Sequence, residues 1–194
     1  MARSKKKQKN LIGVEVIGSS HTTRRHHFEP SLKAHLMDPK HLWYYQRFRY
    51  PSFNGEGGRM LSQFPREKCI SVSEIIQFLT DQKDRKLALI LQVATNNFRL
   101  KLHSNSENIA ADPESVAHLF QQIVDYAVTL PNIHLILVGM IPDPQNDAAL
   151  KDKFLDLNQR LEKMSIENSS TATFLNVDNI FSHMVPMFII QLSA

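Results

Sequence analysis

The sequence holds one cysteine, Cys69, in 194 residues. A lone thiol excludes an internal disulfide framework and leaves no cysteine set to hold zinc. A cytoplasmic or nuclear compartment is the corresponding expectation. Long hydrophobic runs are missing too. The apolar stretch from Leu11 to Ile17 is interrupted too soon for a secretory leader or a membrane span, and Met184 to Leu192 reaches only half a span. No segment repeats and no linker interrupts the chain, so one domain is expected over residues 11–194.

A charge excess is lacking in the body of the chain. Arg3, Lys5, Lys6, Lys7 and Lys9 are five of the 23 basic residues, and the remaining 18 stand against 19 acidic ones. The net charge of +4 therefore belongs to residues 1–10, a basic tail on a neutral domain. A disordered, solvated arm is the plain reading. Contact with nucleic acid through those five side chains is the functional one.

What is present is an alternation of short apolar runs with helical patterns. Leu11 to Ile17 is Val/Ile-rich, the mark of a buried strand, and it runs into Gly18-Ser19-Ser20. A helix is expected over Thr22 to Leu36, broken or restarted at Pro30. The cluster Arg24, Arg25, His26, His27, His35 and His41 invites a metal or anion reading. Adjacent residues on a helix do not share a face, however, so no metal site is expected, and no cofactor. Trp43 to Phe53 alternates aromatic with polar or basic residues. That pattern suits bases stacking beside arginines, and it suits a half-buried edge strand, which takes precedence. The glycine-rich stretch Asn54 to Gly58 allows close backbone approach to a ligand. It is not a P-loop, because no Gly-Lys-Ser/Thr follows.

Ser71-x-x-Glu74 is a capping box opening a helix to about Gln82. Leu87 to Val93 is a second buried run, followed at once by Ala94-Thr95-Asn96-Asn97. Asp112-Pro113 starts the next helix, with apolar residues from Val116 to Ala127 along one side. Ile133 to Val138, a helix through Leu150, Phe154, Leu157 and Leu161, and a last strand over Ala172 to Val177 complete the pattern. Strands alternating with helices predict an α/β fold, a three-layer, doubly wound parallel sheet of flavodoxin-like strand order 2-1-3-4-5.

In such a sheet the loops after strands one, two and three meet at one edge. They carry Ser20, the Gly57-Gly58 pair and Asn96. Acyl transfer needs a hydroxyl to attack a carbonyl, and N–H donors aimed at the oxygen where charge develops. A serine also needs an adjacent base.

These segments, in this order, resemble the first three blocks of the SGNH/GDSL hydrolase superfamily. Gly18-Ser19-Ser20 is similar to the Gly-Asp-Ser block, Gly57-Gly58-Arg59 to the glycine block, and Ala94-Thr95-Asn96-Asn97 to the Gly-x-Asn-Asp block. Val138 to Pro142 and the later Asn158 resemble the family's fourth strand and following helix. The closest likeness is to invertebrate esterase-like domains, some of them in retroelement proteins. The resemblance implies that Ser20 is the nucleophile and that Gly58 and Asn96 are oxyanion donors, with Gly57 as a one-residue shift. It implies an acyl- or acetyl-ester substrate, a small molecule or glycan, while the short apolar runs point to no membrane partner.

The departures carry their own expectations. Ser19, Ala94 and Asn97 stand where the family has aspartate, glycine and aspartate. No Asp-x-x-His follows the fifth strand, and the chain reaches Ala194 about where that block would begin, so a domain cut short of it is expected. Asp178 and His183 have the wrong spacing to replace it, and His21 is expected to face away from Ser20. A serine with oxyanion donors and no base retains only residual catalysis. Three readings follow: a serine ester hydrolase, weak or inactive as it stands; a non-catalytic nucleic-acid-binding module using the basic tail; or a partial product without activity.

Overall fold

The computed structural model describes residues 12–18, 52–55, 58–98, 111–140 and 148–177. The main sheet is built from β1 (Gly13–Gly18), β2 (Ser52–Gly55), β5 (Leu87–Gln92), β6 (Ile133–Val138) and β7 (Ala172–Leu175). All its pairings are parallel, in the order β2-β1-β5-β6-β7. Counted along the chain within this sheet, that is 2-1-3-4-5, as expected. β2 is at the edge, where the aromatic and basic pattern ends. Its register aligns Gly55 with Gly18, and Gly18 in turn with Gln92 of β5. Three strands thus finish side by side.

The apolar runs form strands because one face of each is fully covered. Leu87, Leu89 and Leu91 of β5 and Ile133, Leu135 and Leu137 of β6 are buried, alternating with half-buried Ala88, Ile90, His134 and Ile136. The buried set shares one core with three helices, α1 (Val72–Gln82), α2 (Pro113–Val128) and α3 (Ala148–Glu167). α1 packs beside α2 and α2 beside α3, so the described helices form one layer over one face. The helix expected over Thr22 to Leu36 lies outside the described residues, as do the basic tail and residues 178–194.

Local chemistry fixes where these helices begin. Ser71 Oγ accepts the Glu74 N–H at 3.1 Å, and Glu74 Oε2 accepts the Ser71 N–H at 2.8 Å. This reciprocal cap satisfies two backbone donors that would otherwise be orphaned. Asp112 caps α2 through the Ser115 N–H at 2.8 Å, with Pro113 in the first turn. The Thr80 and Tyr126 hydroxyls lie 2.6 Å apart and join α1 to α2.

One element has no counterpart in the sequence reading. Met60–Ser62 (β3) and Cys69–Ser71 (β4) form a small parallel ladder apart from the main sheet. Strands of three residues are too short to establish a period-2 pattern. The chain returns through residues 63–68, where Lys68 takes a left-handed conformation at φ 55°.

Candidate functional site

The carboxyl edge of the sheet is assembled from the arm that follows β2 and the turn that follows β5. Past β5 the chain passes Val93 and Ala94, both fully buried, into a 3₁₀ turn over Thr95–Phe98. Ala94 has φ 82°, in the region where an L-residue crowds its own Cβ. The Asn97 N–H donates to the Ala94 carbonyl at 3.0 Å and closes the turn. Phe98 then packs edge-on against Phe154 of α3, with ring centroids 5.7 Å apart. The turn is thereby anchored to the helical layer.

Two consecutive asparagines of this turn reach the arm. Asn96 Nδ2 donates to the Arg59 carbonyl at 3.1 Å. Asn97 is fully buried; its Oδ1 accepts the Leu61 N–H at 2.9 Å and its Nδ2 donates to the Leu61 carbonyl at 2.7 Å. The reason lies in the β3–β4 ladder. In a parallel pair, alternate residues turn their backbone groups to opposite sides. Met60 faces β4, its N–H donating to the Lys68 carbonyl at 2.9 Å, so the groups of Leu61 point the other way. The Asn97 amide occupies the place of a further strand there.

Gly58 precedes Arg59 and has φ +77°, and its chain neighbours aside, no atom of the described residues lies within 4 Å of where a Cβ would stand. Its backbone conformation, rather than lack of room, calls for glycine. Arg59 reaches back to the end of β2, its Nη1 donating to Asn54 Oδ1 at 2.9 Å.

The next strand end is held in a similar way. Asn158 of α3 accepts the Met140 N–H at 2.7 Å and donates to the Met140 carbonyl at 3.0 Å. Thr95 Oγ1 donates to the Met140 sulfur at 3.3 Å, linking this segment to the asparagine turn.

Of the residues singled out from sequence, the structure brings Gly58, Asn96, Asn97 and Asn158 to this edge. Ser20, His21, Gly57, Asp178 and His183 lie outside the described residues. The described histidines are His118, exposed on α2, and His134, near the amino end of β6. Neither is at the carboxyl edge, so no described histidine stands beside Gly58 and Asn96. Among them, no group of three or more His, Cys, Asp or Glu is placed to hold a metal ion. No described helix is long and apolar enough to cross a membrane.

An amide nitrogen carries two hydrogens, and the Arg59 carbonyl takes one of them. Sequence reasoning noted Asn97 only as a departure and did not see its bond to Leu61. The signal was the change of residue itself, because aspartate cannot donate to a carbonyl.

No family model matches the chain, and no curated protein does. Solved structures do match. LAE5, an alpha/beta hydrolase enzyme from the metagenome of Lake Arreo, is 13% identical with a TM-score of 0.62, covering 90% of this chain and 81% of its own. A member of the lipolytic protein G-D-S-L family from Veillonella parvula is 13% identical with a TM-score of 0.53, over 90% of this chain and 83% of its own. A variant of Axe2, an acetyl-xylooligosaccharide esterase from Geobacillus, is 10% identical with a TM-score of 0.55, over 92% and 82%. The chain has the α/β fold of the SGNH/GDSL hydrolases, which its glycine and asparagine blocks resemble.

Proposed function

We propose that this chain is a serine ester hydrolase for acyl or acetyl esters, with Ser20 as nucleophile and the Gly58 N–H and Asn96 Nδ2 as oxyanion donors. The observation that carries the reading is the Asn96–Arg59 hydrogen bond. It sets the amide donor beside the residue that follows Gly58, at the edge where β1 ends two residues before Ser20. In the reaction, Ser20 Oγ bonds to the ester carbonyl carbon, the C–O bond to the alcohol breaks, and the alcohol leaves with a proton. Water then cleaves the acyl-serine. The two N–H donors stabilise the oxyanion formed in each half. Short acyl groups are favoured as substrates by the likeness to an acetyl esterase.

Serine and base act as a unit, so the turnover depends on a base that reaches Ser20. Hydrolysis of p-nitrophenyl acetate by the chain tests the reading. Ser20→Ala should abolish the activity, and Asn96→Ala should lower kcat by about 10²-fold or more. Turnover undiminished by Ser20→Ala would remove the nucleophile assignment.

A further inference from the structure

We propose that Asn97 is the positioning residue of the oxyanion donors: its amide fixes the Gly58–Arg59 arm against the turn that carries Asn96. The inference rests on the ester-hydrolase reading and goes beyond it, since it assigns a role to a residue that touches no reacting atom.

Three hydrogen bonds between described residues join the turn to the arm. One is made by Asn96 itself, to the Arg59 carbonyl; Asn97 makes the other two, to the N–H and carbonyl of Leu61. Leu61 is fully buried, so neither of its backbone groups has water as an alternative partner. Among the hydrogen bonds between described residues, the tie that remains without these two is made by the same amide that is to hold the oxyanion. The arm then settles where Leu61 finds new partners, and the Gly58 N–H moves with it. Displacements of about 1 Å in such a constellation cost up to about 100-fold in rate.

The residue type is dictated as well. An aspartate at 97 would accept from the Leu61 N–H, but its second oxygen would face the Leu61 carbonyl oxygen without a proton between them. Asparagine alone of the two satisfies both groups. The departure from the family's acidic residue is thus matched to the arm opposite it.

The experiment compares Asn97→Ala, Asn97→Asp, Asn96→Ala and the Asn96→Ala/Asn97→Ala double variant in the full chain. Measurements are made well below each variant's melting temperature. For p-nitrophenyl acetate, Asn97→Ala is expected to lower kcat about tenfold or more with KM within about twofold, and Asn97→Asp to fall between it and the parent. The double variant should lose less than the product of the two single losses, because the clamp acts through the donors. An unchanged kcat in Asn97→Ala beside a lowered one in Asn96→Ala, or losses that multiply, overturns the proposal and leaves the hydrolase reading standing. If Asn96→Ala has no effect or the chain shows no turnover, the hydrolase reading fails instead. The Gly58 amide and Asn96 side-chain resonances in ¹H–¹⁵N spectra then decide the role of Asn97. They shift in Asn97→Ala if it positions the arm, and they stay in place if it does not.

Discussion

Asn158 grips Met140 by both backbone groups, accepting its N–H at 2.7 Å and donating to its carbonyl at 3.0 Å. Met140 is 2% exposed and Asn158 is 8% exposed, so water does not compete for these bonds. Replacing Asn158 with alanine leaves a buried donor and a buried acceptor unpaired, each costing about 1–3 kcal/mol. The expected loss is about 2–4 kcal/mol, read as a lower urea midpoint at an unchanged slope. A loss below about 1 kcal/mol would contradict the clamp.

Ala94 offers the opposite outcome. At φ 82° and fully buried, it holds a conformation that costs an L-residue about 1–2 kcal/mol. Glycine relieves that strain and gives back part of it through a freer unfolded chain. Ala94→Gly is therefore expected to raise stability by about 0.5–1 kcal/mol in urea denaturation. A destabilised variant would show that the Ala94 methyl packs more than it strains.

Acid sensitivity has an identifiable contributor in Asp112. Hydrogen bonds from Ser115, first its side chain and then its backbone N–H, hold the Asp112 carboxyl below its ordinary value of 3.8. A depressed folded-state pKa means that the anion stabilises the fold above about 3.8 and that this support is lost as pH falls through the folded value. The group is exposed, so the effect is small. An asparagine in its place would cap the helix without a charge. Asp112→Asn should match the parent at neutral pH within about 0.5 kcal/mol. Its melting temperature should fall less steeply below about pH 4. Identical acid profiles would exclude Asp112 as a source.

The sequence disclosed what is settled locally. The Ser71–Glu74 box closes within one helical turn, and Asp112-Pro113 announces α2 by residue type alone. β5 and β6 are legible as apolar runs, although their half-buried second faces are not, since a run of aliphatics reads the same in either case. The candidate site was legible only as separate marks: a glycine after β2 and an asparagine after β5. Their joining was not. The Asn97–Leu61 bonds connect residues 36 apart in the chain, and they exist because β3 pairs with β4, an element too short for any pattern to betray. Ala94 was visible as a substitution for glycine, but its left-handed backbone belongs to the folded turn.

The central claim is that Ser20 attacks a carbonyl or its mimic at an edge furnished with the Gly58 and Asn96 donors. Its most direct measurement is prolonged reaction with a fluorophosphonate, which bonds to an attacking serine oxygen and expels fluoride, followed by peptide mapping. The account predicts one phosphonyl group on Ser20, absent in Ser20→Ala and formed about 10²-fold more slowly in Asn96→Ala. An unlabelled Ser20, or labelling at the same rate in Asn96→Ala, would contradict it.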